Sequence, residues 1–165
     1  MNFQIVPMAN EQDMDEKAYV HWKAWQEAYA GLVDPAYLAG LTLEKCRQMA
    51  RRWPDNMLLA KTGEGQTIGF AGYGKSGDPD LKDTGEVFAI YVLKEFYGRK
   101  AGYALMNASL EKLSAFPRIA VWVLKDNARA IRFYERFGFA RDGAEKKITL
   151  GSPLTEIRLV YERRS

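Results

Sequence analysis

The chain has 165 residues, of which 47% are hydrophobic and 27% charged, a composition typical of one globular domain with a core and not of a disordered segment. Its net charge of +3 suits an acidic ligand but is too small to indicate nucleic acid as a partner. The single cysteine, Cys46, excludes an intramolecular disulfide, and with the single histidine, His21, it argues against a zinc site. We therefore predict no metal.

No apolar stretch approaches the roughly 20 residues that a membrane span needs. Residues 1–7 lack the basic and apolar regions of a secretory signal. The sequence also contains no linker, internal repeat or low-complexity stretch. These features predict a single domain over residues 1–165, located in the cytoplasm and without a membrane partner.

The first predicted elements are a short strand and an amphipathic helix. Residues 3–6 form the strand, and Pro7 ends it. Asn10 or Asp13 can cap the helix. Its apolar stripe recurs at i, i+4, i+7 and i+11 and consists of Ala18, Trp22, Trp25 and Tyr29. The aromatic members of this stripe are either part of the core or one wall of a substrate cleft.

The next segment predicts a change from helices to antiparallel strands. Residues 32–38 read as a loop with a short turn of helix, and residues 42–52 as a second helix. Two strands follow over residues 57–61 and 67–73, and the turn at residues 63–65 joins them as a hairpin.

Residues 69–76 match the phosphate-binding pattern G-x-x-x-x-G-K-[ST] letter for letter. That pattern functions only when a helix begins at its Lys-Ser end. Here residues 77–80 read Gly-Asp-Pro-Asp, which disfavours a helix, and the first half of the match lies in a predicted strand. A nucleotide-dependent enzyme is therefore the weakest functional hypothesis. We interpret residues 74–85 as a mobile loop between two strands.

Residues 87–106 predict a strand, a glycine turn and a helix. The strand is a continuous apolar run, and the turn contains Gly98. The first N–H groups of a helix have no internal partner and can hold an anion such as a pyrophosphate. Arg99 and Lys100 add positive charge there, and Gly102 permits close packing. The alternative interpretation is an ordinary strand–helix unit with a glycine in its turn.

The C-terminal part predicts three strands and a helix. Residues 119–124 form a strand, and a helix capped by Asp126 ends at Gly138. Two further strands cover residues 139–148 and 154–162. The whole order, β-α-α-β-β-β-α-β-α-β-β, predicts a mixed α/β (α+β) fold with about seven largely antiparallel strands and about four flanking helices.

Two segments carry a resemblance to a known family. Asn127 followed by residues 130–139, Ala-Ile-Arg-Phe-Tyr-Glu-Arg-Phe-Gly-Phe, resembles the signature helix of the Gcn5-related N-acetyltransferases, the GNAT family. Residues 97–102 resemble the acetyl-CoA pyrophosphate loop of that family, Q/R-x-x-G-x-G/A. The resemblance implies the family fold, in which two central parallel strands are splayed apart, with acetyl-CoA as cosubstrate and an amine as acceptor.

The second segment departs from the family pattern. Tyr97 stands where the family has Gln or Arg, and Lys100 stands at the first motif glycine. Gly102 holds its place, and Gly98 is an additional glycine. The departures put the path of the pyrophosphate-binding backbone in doubt.

Acetyl transfer needs an acceptor for the amine proton, a donor for the thiolate and an N–H for the carbonyl oxygen. The resemblance implies that Tyr134 is the general acid at the CoA sulfur; a core aromatic residue is the alternative. It also implies that the backbone of residues 90–92 pairs with the pantetheine arm. The implied cofactor-binding residues are Ile90, Tyr91, Val92, Tyr97, Gly98, Arg99, Lys100, Ala101, Gly102, Asn127 and Tyr134.

The general base is not inherited from the resemblance. Some relatives carry a Glu on the strand before the signature helix, but the matching residue here is Trp122. Glu86, at the start of the central strand, is the candidate base, directly or through water; a solvated strand end is the alternative. Trp25 and Tyr29 are the candidate substrate-binding residues.

Two functional hypotheses follow from the resemblance. The first is an N-acetyltransferase acting on a primary amine of a small molecule, peptide or protein. The second is a non-catalytic CoA-binding module used for sensing or assembly, favoured by the departures at Tyr97, Lys100 and Trp122. The net positive charge disfavours highly basic acceptors. Homodimers are common in the family, and the sequence itself shows none.

Overall fold

The computed structural model describes residues 2–164. Its strands are β1 (Gln4–Pro7), β2 (Met57–Lys61), β3 (Thr67–Lys75), β4 (Thr84–Val92), β5 (Arg118–Leu124), β6 (Ala140–Leu150) and β7 (Ser152–Glu162). Its helices are α1 (Glu11–Ala28), α2 (Pro35–Gly40), α3 (Leu43–Arg52), α4 (Ala101–Lys112) and α5 (Ala128–Arg136), with a 3-10 turn at Lys94–Phe96. The predicted fold class is confirmed, and the predicted helical turn after α1 is the short helix α2.

All strands belong to one sheet in the order β1-β2-β3-β4-β5-β7-β6. Every pair is antiparallel except β4 with β5. These two parallel strands pair only over the three rows Thr84–Arg118, Gly85–Ile119 and Glu86–Ala120. Beyond Glu86 the two strands are no longer paired, so β4 has a free edge on the side of β5 and a cleft opens in the middle of the sheet.

Helices cover the sheet from both sides. On one side the aromatic residues Trp25 and Tyr29 of α1 contact Tyr91 of β4. On the other side α5 contributes Ile131 and Tyr134 to a buried cluster that also contains residues of α4, β5 and β7. Full burial of such a large apolar side chain stabilises the fold by about 1.5–3 kcal/mol. The amphipathic patterns of the helices therefore fix which face of the sheet each one covers.

Helix α5 begins one residue later than predicted. Its N-cap is Asn127 and not Asp126, because the Asn127 Oδ1 accepts a hydrogen bond from the Ala130 N–H at 3.2 Å. The Asn127 N–H donates to the Leu124 carbonyl. Asp126 therefore lies in a turn that precedes the helix, with an exposed side chain. Gly138 does follow the helix with a left-handed φ of +100°, as predicted.

The predicted loop over residues 74–85 is wrong in extent. Strand β3 continues to Lys75 and β4 begins at Thr84, so the connection covers residues 76–83. The sequence that matches a phosphate-binding loop lies almost entirely inside β3. Because another strand follows it, this part of the described chain lacks the helix that such a loop requires.

Candidate active site

The cleft begins at the free edge of β4. Ile90, Tyr91 and Val92 pair with β3 on one side and have no strand partner on the other within residues 2–164. An unpaired strand edge offers N–H and C=O groups to another extended chain. The edge predicted to hold the pantetheine arm is therefore available along the cleft.

The turn after β4 leads into the N-terminus of α4. Gly98 has φ +78°, and Lys100, the residue before the helix, has the left-handed φ of +68°. The side chain of Lys100 makes no capping hydrogen bond, so the first N–H groups of α4 have no side-chain cap. A non-glycine residue in this conformation carries strain of about 1–2 kcal/mol. Lys100 thus adopts, at the place of a motif glycine, a conformation that glycine adopts more easily.

Gly102 permits a close helix contact. A Cβ atom built on it lies 3.3 Å from Phe133 Cε1 of α5 and 3.8 Å from Val92 Cγ2 of β4. The predicted packing function is confirmed, and the nearest neighbour is the signature helix. This contact brings the N-terminal end of α4 against the middle of α5, next to Val92 of β4.

Positive charge collects at this end of the cleft. Arg99 and Lys100 are exposed, and the guanidinium carbon of Arg129 lies 3.6 Å from the centre of the Tyr97 ring. Sequence reasoning did not connect Arg129 with this turn. Because Tyr97 replaces a Gln or Arg of the family pattern, its ring positions a different cation at the same turn.

Tyr134 of α5 belongs to a buried cluster and is 8% exposed. Its ring packs against Phe133 and Phe139. Burial raises the pKa of Tyr134 well above its usual value, and the nearby Tyr29 and Glu156 raise it further. Its hydroxyl is therefore protonated at neutral pH and can act as a donor. Tyr134 is therefore a core aromatic residue, and its role as general acid stays a prediction.

The two candidate substrate-binding residues form an aromatic group with a predicted cofactor residue. The Tyr29 and Tyr91 hydroxyls are 2.9 Å apart and share a hydrogen bond. The Trp25 ring is 4.7 Å from that of Tyr29, centre to centre. The Trp25 Nε1 is buried and has no hydrogen-bond partner within residues 2–164. Trp25 and Tyr29 therefore border the cleft beside Tyr91.

Glu86 occupies the last row in which β4 and β5 pair. It is half-buried and forms no ion pair with any described residue. Burial raises the pKa of Glu86, as do the charges of Asp78 and Glu156, while Ser76 and Lys146 partly offset the shift. A carboxylate in this position is a better proton acceptor than a solvated strand end would be.

Sequence reasoning missed an ionic cluster on the other side of the cleft. The guanidinium of Arg158, a residue that is 5% exposed, hydrogen-bonds Asp78 at 3.2 Å, Asp80 at 2.6 Å and Asp142 at 2.7 Å. The Trp122 indole N–H also donates to Asp78 at 2.9 Å. These bonds hold residues 76–83 against β5 and β7. No local pattern predicts them, because the partners come from distant parts of the chain.

A small cavity of about 190 Å³ lies at the far end of β5. Its lining combines apolar residues with a few polar ones: Leu32, Leu124, Lys125, Asp126, Pro153, Leu154 and Thr155. Leu32, Leu124 and Leu154 belong to the same apolar cluster as Trp25 and Tyr29. The apolar part of the cavity lining therefore belongs to the same cluster as the aromatic wall of the cleft.

Comparison with known proteins identifies the family. The model of the acetyltransferase (GNAT) family matches residues 16–139. The chain belongs to the GNAT family. It is an acetyltransferase, and acetyl-CoA is its acetyl donor. The resemblance seen in the signature helix and the pyrophosphate turn is thereby confirmed.

Two relatives illustrate the similarity in sequence. An uncharacterized N-acetyltransferase of Bacillus subtilis is 28% identical over 92% of this chain and 88% of its own length. An uncharacterized N-acetyltransferase of Archaeoglobus fulgidus is 30% identical over 76% of this chain and 86% of its own length. The similarity therefore spans most of each protein.

Two solved structures illustrate the similarity in fold. PH1933 of Pyrococcus horikoshii has a TM-score of 0.74 at 21% identity and covers 99% of this chain and 100% of its own. The PaiA N-acetyltransferase of Thermoplasma acidophilum, solved in complex with coenzyme A, has a TM-score of 0.72 at 19% identity with the same coverage.

Among residues 2–164, none of the helices has the length and apolar character to cross a membrane.

Proposed function

We propose that the whole chain is one N-acetyltransferase domain that moves the acetyl group of acetyl-CoA to a primary amine by direct attack. The observation that supports this most strongly is Tyr134, a buried tyrosine whose hydroxyl stays protonated and lies close enough to Tyr29 and Glu156 for their charges to raise its pKa. A donor is needed there to protonate the departing thiolate.

The donor side is assigned to backbone groups. The free edge of β4 at Ile90, Tyr91 and Val92 pairs with the pantetheine arm, and the N–H group near Val92 polarises the acetyl carbonyl. The turn from Tyr97 to Gly102, including Gly98 and Ala101, holds the pyrophosphate. Arg99 and Lys100 supply charge to it. These assignments account for the free strand edge and the uncapped helix next to it.

The side chain of Asn127 has one hydrogen-bonding group that can bind the cofactor. Its side-chain oxygen already accepts the bond that caps α5. The amide NH₂ remains and can only donate, so we assign it to an oxygen of acetyl-CoA.

The chemical step needs no covalent enzyme intermediate. The amine nitrogen attacks the thioester carbon, the C–N bond forms, and the C–S bond breaks. Glu86 takes the amine proton, directly or through water, and Tyr134 gives its proton to the thiolate of CoA. Cys46, the one cysteine, is fully buried, and burial raises the pKa of its thiol to about 11, so it is not an acetyl-accepting nucleophile.

Replacing Tyr134 with Phe tests the proposal. The variant keeps the packing of the ring and loses only the hydroxyl. We expect kcat to fall about 100-fold or more, the usual range for a lost general acid, with the Kd for acetyl-CoA unchanged. Thiol release with a panel of primary amines measures kcat, and titration with acetyl-CoA measures the Kd. If the wild type binds acetyl-CoA and acetylates none of the amines, the result favours the non-catalytic CoA-binding module.

A further inference from the structure

The side chains next to Glu86 form a compact group on one face of the sheet. Trp122 of β5 is paired with Arg158 of β7, and Glu156 of β7 is paired with both Leu124 of β5 and Lys146 of β6. Residues two apart on a strand point to the same face. Trp122, Arg158, Glu156 and Lys146 therefore meet over the same surface, beside the row that contains Glu86.

An ammonium group already occupies this surface. The Lys146 Nζ lies 4.2 Å from the centre of the Trp122 ring and 3.6 Å from a Glu156 carboxylate oxygen. A tryptophan face and a carboxylate together are a favourable environment for a cation. The Lys146 side chain is 45% exposed, and its four-carbon chain has many conformations. Its ammonium can therefore leave without disturbing the fold.

The same region carries an excess of negative charge. Its five carboxylates are Asp78, Asp80, Glu86, Asp142 and Glu156, and its two cations are Lys146 and Arg158. The guanidinium of Arg158 is hydrogen-bonded to the three aspartates, and Glu86 has no ion pair in residues 2–164. A half-buried, unpaired carboxylate next to others attracts a cation from solution. This local balance is opposite in sign to the net charge of +3 of the whole chain.

The charged surface borders the reacting centre. The charge of Glu156 is close enough to act on the phenols of Tyr134 and Tyr29 and on the carboxyl of Glu86. Tyr134 also shares a buried cluster with Val123 and Ile157, which are next in the chain to Trp122 and Glu156. An acceptor whose amine is near Tyr134 therefore lies close to the strands that carry Trp122 and Glu156.

We infer that Trp122 and Glu156 form a cation subsite beside Glu86, and that the acceptor is a primary amine carrying a second positive charge, such as a diamine. Lys146 is the internal ammonium that the second charge displaces. The inference rests on the proposed acetyl transfer, because the subsite is placed relative to Tyr134. It also reverses the expectation, drawn from the net charge alone, that basic acceptors are disfavoured.

The test compares two amines of equal length, 1,4-diaminobutane and n-butylamine, with the protein saturated with CoA. Calorimetry gives the Kd of each amine, and thiol release from acetyl-CoA gives kcat/KM. We expect the diamine to bind at least tenfold more tightly and to be the better acceptor. A peptide with two adjacent lysines is also compared with its singly charged counterpart. This second pair shows whether the doubly charged acceptor is a small amine or a peptide. Equal affinities within both pairs would overturn the inference.

Variants of the subsite separate it from the chemistry. Glu156→Gln and Trp122→Leu should each remove most of the preference for the diamine, with the affinity for butylamine changed less than twofold. Lys146→Met should tighten diamine binding severalfold because the competing ammonium is gone. Lys147→Met is the matched control: the neighbouring ammonium bonds Thr155 at 2.6 Å, away from Trp122. Weaker diamine binding in Lys146→Met would contradict the displacement.

The two proposals can fail separately. If butylamine and the diamine are acetylated equally well, the acetyltransferase stands and the subsite is wrong. If the diamine binds preferentially but neither amine is acetylated, the subsite stands and the chemical assignment is wrong.

Discussion

The two sides of the cleft present different kinds of chemical group. The donor side consists mainly of backbone groups, the free edge of β4 and the uncapped N-terminus of α4, with Arg99, Lys100 and Arg129 beside them. The acceptor side consists of side chains, with Arg158 tied to three aspartates and Glu86 unpaired. One side is basic and the other acidic. The difference teaches that a chain with a small net charge can carry a basic region and an acidic region at opposite sides of one cleft.

The largest effect is expected from breaking the acceptor side at Arg158. Arg158→Met retains an unbranched side chain close to the aliphatic part of arginine and leaves three carboxylates without their cation. Loss of one partner of a buried ion pair costs about 3–5 kcal/mol, and we expect about 3 kcal/mol because Asp80 is exposed. Urea denaturation measures the loss.

The control for Arg158 is Arg118→Met, which removes an exposed ion pair with Glu162 and should cost less than about 1 kcal/mol. In the folded Arg158 variant the Kd for acetyl-CoA should stay within twofold of wild type. A large loss of acetyl-CoA affinity would show that the two sides are not independent.

The second-largest effect is expected from replacing Glu86, the candidate general base. Because burial raises the pKa of Glu86, kcat/KM should rise with pH through that raised pKa as the carboxylate loses its proton. Glu86→Gln should lower kcat/KM roughly 100-fold and remove this acidic limb of the pH profile. Glu111→Gln, an exposed carboxylate on α4, is the control. An unchanged acidic limb in Glu86→Gln would assign the base to another group or to solvent.

The smallest effect is expected on the donor side. Arg129→Ala removes the cation stacked on Tyr97 and should weaken acetyl-CoA binding about three- to tenfold, with a smaller difference in high salt. Arg132→Ala, on the exposed face of the same helix, should have less than a twofold effect. Acetyl-CoA titration at two salt concentrations measures both variants. Equal losses in the two variants would mean that the position of Arg129 on Tyr97 has no special importance.

The contrast also explains how much could be read from the sequence. Helix α4, its glycine turn and the signature helix are encoded in short consecutive segments, so the donor side was predictable from residues 97–102 and 127–139. The acceptor side depends on the register of β5, β6 and β7, which brings Trp122, Lys146 and Glu156 together from distant positions. The periodicity of apolar residues along a sequence does not indicate the register in which strands pair. The same limit explains why residues 74–85 were predicted to be a mobile loop, since Arg158, whose ion pairs hold Asp78 and Asp80, lies far away in the sequence.

Two smaller errors have local causes. Asp126 and Asn127 are both good capping residues, and only the turn at Leu124 decides in favour of Asn127. The end of β3 was placed at residue 73 because Gly74 and the residues after it favour turns, but pairing with β4 extends the strand to Lys75. The domain extent, the location in the cytoplasm and the homodimer stay predictions.

The most direct test of the account is a single-turnover experiment. The wild type, loaded with acetyl-CoA, is mixed rapidly with an excess of amine, and N-acetylated amine, free CoA and the mass of the protein are followed together. Direct attack predicts equal amounts of N-acetylated amine and CoA in one phase, with no acetylated protein at any time, and a much slower phase in Tyr134→Phe. Free CoA that appears before the product, together with acetylated protein, would contradict the account.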